Sequence, residues 1–262
     1  MNKLFIVAAA FAASTSAFAQ FASATNTWTG ALGVKEHRTT PDAVTAYDNT
    51  VNFTGFASTS GAVGPANGST GTFMDADDII VLGSEKGKPV SAFTFSGANS
   101  NSVAVTASPT VVFWTDNLVS PGTVLAKVRF NPITIGALSV SLFSFTGTTP
   151  IFTVPTSGHL WMGVSWDDFS DVTDTGISDS QLALLGQGIF DPPVVGSSDD
   201  IFWSSDNFGN NAINNPAGGL FDFGQNPIAS FGNSLTTVPE PASMAVLGLG
   251  ALGLLRRRKT TK

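Results

Sequence analysis

The middle of the chain alternates between apolar and polar residues, and this period of two constrains the fold more than any other feature. In the segment 124–130 the charged residues Lys127 and Arg129 fall between apolar ones. Successive side chains of a strand point to opposite faces, so the pattern predicts a half-buried strand with its charges exposed. Its predicted buried set is Val124, Ala126, Val128 and Phe130. The segment 138–142 repeats the alternation and predicts a second strand with its serines exposed.

Further short segments are rich in Val, Phe and Thr, which is the composition of strands. They are residues 90–95, 103–106 and 110–114. Turn-forming residues separate them, for example Ser108-Pro109 and Asn131-Pro132. Strands at this spacing predict an all-β fold, a single antiparallel β-sandwich or jelly-roll-like domain. Because the chain has no cysteine, burial rather than disulfide bonds must hold it together.

One short helix is predicted within this β-rich region. Ser178 and Gln181 have the spacing of a capping box, in which each side chain accepts a hydrogen bond from the backbone of the other residue. Leucines follow at positions 182, 184 and 185, and Gly186 is the predicted end of the element. The short length indicates a helix in a loop rather than a structural layer.

The N-terminus has the features of a secretion signal. Lys3 precedes the apolar run 4–11, and Ala17 and Ala19 place small residues where a signal peptidase must accept them. The run is too short to cross about 30 Å of hydrocarbon, which needs about 20 residues. We therefore predict a signal peptide at residues 1–19, removed by signal peptidase before Gln20.

The C-terminus combines three features in a fixed order. Pro239, Glu240 and Pro241 come first, and an apolar run follows from 242 to 255. The chain then carries the basic cluster Arg256, Arg257, Arg258 and Lys259. The apolar run favours the bilayer and the basic cluster favours its cytoplasmic side. Because the run is short for a permanent span, we predict a hydrophobic sorting helix that anchors the chain transiently in the inner membrane. An ordinary anchor that is never cut is the alternative.

This composite resembles the PEP-CTERM sorting domain over about the last 25 residues. The resemblance implies that Pro239, Glu240 and Pro241 are recognised by an exosortase, a membrane-embedded cysteine protease of Gram-negative bacteria that make extracellular polysaccharide. It also implies processing during export and a final location outside the cell or on its surface. On this interpretation the chain divides into a signal peptide (1–19), a β-sandwich passenger (20–237) and a sorting tail (238–262). The resemblance implies nothing about the passenger, because the family shares only the tail.

The passenger is acidic once the two ends are set aside. Residues 20–237 carry 6 basic and 18 acidic residues, a net charge of −12. Nucleic acid and anionic lipid both need a basic footprint, so nucleic acid is excluded as a partner of the passenger. A cationic or metal-bridged partner stays open.

Aspartates form three groups in the passenger. The largest contains Asp167, Asp168, Asp171, Asp174 and Asp179, the second Asp75, Asp77 and Asp78, and the third Asp199 and Asp200. Carboxylates and loop carbonyls are calcium ligands, but residues 171–176 lack the EF-hand alternation. A glycosidase pair needs two carboxyl groups about 5–10 Å apart in a cleft. The favoured interpretation is that the aspartates solvate loops and cap turns, with no cofactor or metal, and calcium is the alternative.

Aromatic and histidine residues complete the candidates. Trp28, Tyr47, Trp114, Trp161, Trp166 and Trp203 are the residues that could stack on sugar rings. Trp161 and Trp166 are five residues apart and face opposite sides of a strand, so at least one belongs to the core, and core is favoured for the set. His37 lies in a charged stretch and His159 at a predicted strand start, and neither lies in a nucleophile elbow. No catalytic residue is predicted.

These observations favour an exported, non-enzymatic protein associated with extracellular polysaccharide or biofilm matrix. The first alternative is a carbohydrate-binding module, stabilised by calcium. The second is a secreted hydrolase that uses paired aspartates.

Overall fold

The computed structural model describes residues 22–27, 43–58, 62–63, 71–118, 120–147, 149–167, 177–208, 217–224 and 229–238. Strands make up 63% of the structure, and there is almost no helix in the described ranges. In chain order they are β1 (Ala22–Thr27), β2 (Val44–Asp48), β3 (Phe53–Ser58), β4 (Ala62–Val63), β5 (Gly71–Ile80), β6 (Pro89–Asn99), β7 (Val105–Asp116), β8 (Pro121–Arg129), β9 (Ile133–Ile135), β10 (Ser139–Thr146), β11 (Phe152–Thr153), β12 (His159–Asp167), β13 (Leu185–Phe190), β14 (Ile201–Phe208), β15 (Gly218–Asp222), β16 (Ser230–Phe231) and β17 (Ser234–Thr237). A single-turn helix, α1, spans Asp179–Leu182.

The strands form two antiparallel sheets, which confirms the predicted all-β sandwich class. The first sheet runs β1-β10-β6-β13-β16, and β2, β3, β11 and β17 also pair into it. The second runs β15-β14-β5-β12-β7-β8, with β4 and β9 attached. One pair, β1 with β10, is parallel. Strands distant in sequence are neighbours in both sheets, so the fold depends on long-range pairing.

A phenylalanine-rich core fills the space between the sheets. In the first sheet Phe93 and Phe95 of β6 lie opposite Phe145 and Phe143 of β10, with ring centroids 5.3 and 5.4 Å apart. Phe113 of β7, in the second sheet, meets Phe93 edge-on at 5.0 Å. Such ring pairs contribute about 0.5–1.5 kcal/mol each beyond the area they bury. The aromatic rings therefore join the two sheets directly.

The strand predicted at 124–130 is present as β8, but its faces differ from the prediction. Val124 lies opposite Trp114 and Ala126 lies opposite Phe113, so Leu125 is an extra residue in a bulge. An extra residue on one strand reverses the alternation at that point. Val124 consequently packs on the outer face of the second sheet, while Ala126 faces the core. The two charged residues of β8 are exposed, as predicted.

The strand predicted at 138–142 is present as β10, and its predicted orientation is wrong. Ser139 and Ser141 are buried, at 9% and 3% exposure. They share a face with Phe143 and Phe145, which belong to the core between the sheets. The alternation had placed the serines outside because it took Val140 as the buried side, but Val140 is also buried. A strand covered on both faces cannot be oriented from its alternation.

The segments 103–106 and 110–114 were predicted as two strands with a turn at Ser108-Pro109, and this is wrong. A single strand, β7, runs through both residues. Residues 105–107 pair with β9, and residues 110–116 pair with β8. Pro109 lies where β7 changes partners, which is a position in a sheet that tolerates a residue without an N–H.

The predicted helix is present and is shorter than expected. Ser178 N donates to Gln181 Oε1 at 3.0 Å, and Gln181 N donates to Ser178 Oγ at 3.3 Å, which is the reciprocal capping box. The helix ends at Leu182, and Gly186 does not terminate it. Gly186 lies in β13 instead, where an added Cβ atom would come within 1.9 Å of the carbonyl oxygen of Ala57. The glycine is therefore explained by close strand packing.

Candidate functional site

The three aspartates at 75, 77 and 78 lie in the middle of the second sheet, on β5, and not in a loop as predicted. β5 is paired on one side with β12 and on the other with β14. Asp77 lies opposite Met162 of β12, a core residue, so it points between the sheets. Asp75 is two residues from Asp77 and points to the same face of the strand, whereas Asp78 points to the opposite face. All three carboxyl groups are buried, at 5%, 0% and 6% exposure in chain order.

Asp77 is the centre of a buried polar network between the two sheets. Its Oδ2 atom accepts a short hydrogen bond from the hydroxyl of Ser230 on β16. The same hydroxyl lies 3.0 Å from the hydroxyl of Tyr47 on β2. Asn233 Nδ2 approaches Asp77 Oδ2 at 3.4 Å. Each of these four residues has no exposed surface, so the network is closed to solvent. We call Tyr47, Asp77, Ser230 and Asn233 the Asp77 network.

Asn49 holds the backbone beside this network. Its Nδ2 group donates to the carbonyl oxygens of Phe190, Ser230 and Phe231 at 3.1, 3.1 and 3.2 Å. Its backbone N–H donates to the carbonyl of Asn233 at 2.9 Å. Buried polar atoms that lack partners are costly, so these bonds fix the position of β16 against β2 and β13.

The environment of the Asp77 network favours the neutral form of its acid. Burial raises the pKa of Asp77 well above its ordinary value, and the charge of Asp78 raises it further. The hydrogen bonds from Ser230 and Asn233 act against this rise. Within the described ranges, Asp77 Oδ1 has no hydrogen-bond partner, which adds to the cost of the charged form. Burial also raises the pKa of the Tyr47 phenol, with the Asp77 charge as the next cause.

Asp75 and Asp78 are shifted in the same direction. Burial raises the pKa of Asp75 to about 7, against a hydrogen bond from Ser204. Burial also raises the pKa of Asp78 to about 7. Asp78 nevertheless accepts two hydrogen bonds, from Ser198 Oγ at 3.0 Å and from the backbone N–H of Asp199 at 2.9 Å. These bonds join β5 to the loop before β14.

The remaining predicted carboxylates are divided between described and undescribed parts of the chain. Asp199 is exposed, and Asp200 Oδ1 accepts the backbone N–H of Ala229 at 2.8 Å, which agrees with a loop-capping role. Asp167 ends β12 and Asp179 begins α1. Asp168, Asp171 and Asp174 lie outside the described residues, so the calcium prediction for this group stays a prediction. Across the described ranges, no three Asp, Glu or His residues come together as a metal site.

The four tryptophans within the described residues are buried on two different faces of the second sheet. Trp166 packs against Phe95 in the core between the sheets, with ring centroids 6.2 Å apart. Trp161 points to the outer face, which confirms that the two residues lie on opposite sides of β12. On that outer face Trp161 joins a group that we call the tryptophan cluster. Its members are Met74, Ala76, Val112, Trp114, Trp161 and Trp203.

Burial leaves no ring of the tryptophan cluster free to bind a sugar. Trp114, Trp161 and Trp203 are 0%, 1% and 2% exposed. The Trp161 indole N–H donates to Asp116 Oδ1 at 2.9 Å. Gly163 lies against the ring of Trp114, where an added Cβ would approach Cζ3 to 2.8 Å. The favoured prediction of a core role is confirmed for these tryptophans, for Trp166 and for Tyr47, whereas Trp28 lies outside the described residues.

One of the two histidines lies within the described residues. His159 is the first residue of β12, as predicted, and is half-buried. His37 lies outside the described residues. The buried contacts that the sequence did not reveal are those of Ser230, Asn233 and Asn49. One signal was available, because the three aspartates interrupt a run that begins with Phe73-Met74 and ends with Ile79-Ile80. Apolar residues on both sides indicate a strand rather than a loop.

The last described strand leads directly into the C-terminal segment. β17 ends at Thr237, and the backbone N–H of Val238 still donates to the carbonyl of Pro89 at 3.0 Å. Pro239, Glu240 and Pro241 follow at once, and they lie outside the described residues together with the basic cluster. Ala17 and Ala19 also lie outside them. No helix within the described ranges has the length and apolarity needed to span a membrane.

Comparison with protein families identifies the C-terminal segment. Residues 237–259 match the family model of the PEP-CTERM protein-sorting motif, which confirms the resemblance found in the sequence. The chain is therefore an all-β exported protein that carries an exosortase-targeting signal. The search of curated proteins found no match for the chain, and neither did the search of solved structures.

Proposed function

We propose that the chain is cut by exosortase and that its passenger is a non-enzymatic structural component outside the cell, associated with extracellular polysaccharide. The observation that carries the first half is the PEP-CTERM motif at residues 237–259. In this proposal the C-terminal helix holds the chain in the inner membrane only until it is cut. The passenger then remains outside or on the surface.

The structural role is supported by how the chain uses its reactive side chains. Asp75 and Asp77 have the same parity on one strand, at a spacing compatible with a carboxylate pair. Both are buried, at 5% and 0% exposure, and Asp77 is bonded to Ser230 and Asn233. A glycan chain cannot reach carboxyl groups that lie between two packed sheets. These residues therefore favour the stabilising role over the hydrolase alternative.

Association with polysaccharide is proposed from the surface and the charge of the passenger. Hydroxyl side chains occupy exposed strand positions, as in the Thr106–Thr134 pair with its oxygens 2.7 Å apart. Such groups exchange hydrogen bonds with sugar hydroxyls, and they do not require a stacking platform. Because the passenger has a net charge of −12, an acidic polysaccharide would be bridged to it by divalent cations.

Processing is tested in the producing bacterium with and without its exosortase. Replacing Pro239, Glu240 and Pro241 together with alanine should leave the chain in the membrane fraction, as should deletion of the exosortase. Pro155→Ala, a proline change in a turn of the passenger, is the control and should not alter release. Equal release of all the forms into the medium would contradict the proposal.

Matrix association is tested separately with the released protein. It should sediment with the producer's own polysaccharide, and a chelator should release it if cations form the bridge. A carbohydrate-binding module would instead show a sugar-specific mobility shift that survives chelation. If added calcium raises the melting temperature of the passenger, the aspartates at 167–179 become its candidate ligands. A protein that never sediments with polysaccharide would exclude the proposed role.

A further inference from the structure

The first strand of the passenger, β1, covers one edge of the first sheet. It pairs in parallel with β10, in a register that places Ala24 opposite Ser141. The other side of β10 is paired with β6. Within the described ranges β1 pairs with no strand besides β10. Parallel pairs are slightly less stable per residue than antiparallel ones, so β1 can leave the sheet by breaking one short and weak set of backbone hydrogen bonds.

The edge of β10 that β1 covers has the composition of a strand that pairs readily with another chain. Residues 139–146 include neither a charged residue nor a proline. Val140, Phe143 and Phe145 are buried, at 1%, 4% and 5% exposure. Apolar segments of this length with high β-propensity and no charge are the ones that associate when their backbone is open. The β10 edge therefore needs a strand to cover it.

The edge strand of the second sheet, β8, is protected in a way that β10 is not. β8 begins at Pro121 and has the bulge at Leu125. It also exposes the charged residues Lys127 and Arg129. Prolines, bulges and charges are the usual means by which a sheet edge avoids pairing with another chain. The contrast between the two edges indicates that β10 is an edge on which a strand is meant to pair.

The connection after β1 is long enough to reach a neighbouring molecule. Residues 28–43 connect β1 to β2. When fully extended, a segment of that length spans about 55 Å. This is more than three times the radius of gyration of a domain of this size, which is about 17 Å. The length of the chain therefore allows β1 to pair with β10 of its own copy or with β10 of another.

Charge favours this contact over others between two copies. The passenger has a net charge of −12, so two copies repel each other over most of their surfaces. Residues 22–27 are Ala, Ser, Thr and Asn, without a charge, and residues 139–146 are also neutral. Pairing between these two segments brings two acidic molecules together through uncharged strands.

From these observations we infer that β1 is exchanged between copies, so that each passenger receives the β1 strand of a neighbour on its β10 edge. The partner is a second copy of this chain. Each copy donates its N-terminal strand and accepts another at β10, so the contact is head-to-tail and extends into chains of molecules. The inference rests on the proposed structural role outside the cell, whereas the exchange itself does not require exosortase.

Concentration decides between the two arrangements, because the exchanged strand makes the same backbone pairs as the intramolecular one. Pairing within one copy is favoured below the effective concentration that the connection provides, which is about 1 mM for a flexible segment. Pairing between copies is favoured above it. Crowding of the passenger in a matrix outside the cell would therefore promote assembly.

The test uses introduced cysteines, because the chain has none of its own. In the double variant Ala24→Cys, Ser141→Cys the two thiols lie on adjacent paired residues, within reach of a disulfide bond. The exported chain is oxidised over a range of concentrations and separated on a nonreducing gel. At low concentration the disulfide should form within one chain, and towards about 1 mM a series of covalently joined multimers should replace it. An intrachain disulfide at every concentration would overturn the inference.

A mixture of single variants isolates the exchange. When Ala24→Cys and Ser141→Cys are on separate chains, a disulfide between them can form only across two copies. The control mixes Thr94→Cys with Ser144→Cys, at positions whose hydroxyl oxygens lie 2.9 Å apart on β6 and β10 of the same copy. Mass spectrometry of the linked peptides should show about tenfold more mixed disulfide in the first mixture. Equal yields in the two mixtures would contradict the exchange.

Failure of the exchange and failure of the proposed function are seen separately. The exported chain is taken from the medium if it is released and from a detergent extract of the membrane if it is not. A chain that stays in the membrane would contradict processing by exosortase, and its cysteine variants would still decide whether β1 pairs between copies.

Discussion

The hydroxyl groups of Tyr47 and Ser230 lie 3.0 Å apart although 183 residues separate them in the chain. Ser230 also donates to Asp77, so one serine joins β2 and β16 of the first sheet to β5 of the second. The interior of this sandwich thus contains a polar connection as well as aromatic rings. Buried networks of this kind stabilise a fold only when they are satisfied, which makes the protonation state of Asp77 and its neighbours important.

The stability of the passenger should fall as the pH rises from about 4 to about 7. The folded state keeps protons on Asp75 and Asp78, whose pKa values are near 7, whereas the unfolded chain loses them near pH 4. The state that binds more protons is favoured at low pH, so the free energy of unfolding decreases through this window. Asp75 alone should contribute on the order of 1 kcal/mol per pH unit, measured by chemical denaturation at pH 5, 6, 7 and 8.

Asp75→Asn provides the direct test, because it removes the titratable carboxyl group and keeps the shape of the side chain. The loss of stability between pH 5 and pH 8 should become smaller in this variant. Asp222→Asn removes the same charge at an exposed position and should leave the pH dependence as it is. A wild-type protein whose stability is flat or rises over this window would show that the β5 carboxyl groups are not buried as described.

The contribution of Glu85 should have the opposite sign. Its pKa is lowered in the folded protein by Thr237, Lys88 and Ser84, although burial acts against them. Its stabilising effect is present above the ordinary glutamate pKa and is lost as the pH falls through the lowered value. Glu85→Gln should therefore lower the free energy of unfolding at pH 5 to 6. In stronger acid the free energies of unfolding of the variant and the wild type should become more similar. A loss of stability of equal size at every pH would show that the substitution acts through packing and not through the charge of Glu85.

Gly186→Ala should destabilise the passenger by about 1–3 kcal/mol or more. The added Cβ would meet the backbone of Ala57 at 1.9 Å, and backbone cannot move aside as a flexible side chain can. Gly83→Ala is the matched control, since nothing lies within 4 Å of its added Cβ. Thermal melting of both variants checks the prediction, and equal melting temperatures would show that β13 and β3 are not packed this closely.

Trp203→Ala should cost about 3–5 kcal/mol of stability, as expected for removal of a large buried side chain. Trp203 meets Trp114 edge-on, with centroids 6.3 Å apart. Leu220→Ala, at a residue that lies opposite Trp203 on β15 and is 41% exposed, should have a much smaller effect. If Trp203→Ala left stability intact but weakened glycan binding, the tryptophan cluster would be a ligand platform after all.

The fold class, the capping box and the sorting motif could be predicted from the sequence, because each of them depends on short local patterns of residues. It could not predict the bulge at Leu125, since a bulge depends on the partner strand. Alternation also misassigned the serines of β10, which is covered on both faces. The burial of Asp77 escaped prediction for a related reason. Its partners Ser230 and Asn233 lie 153 and 156 residues away, and only the folded chain brings them to β5.

The central claim is that the folded body extends through β17 to Val238 and that the residues after it form the sorting signal. Hydrogen exchange of the full chain measures this most directly, because backbone amides paired in a central strand exchange slowly. The amides of residues 235–238 should be protected to the same degree as those of β6, which is one of the two strands that pair with β17. Exchange of these amides within seconds, with β6 still protected, would contradict the account and place the end of the passenger further upstream.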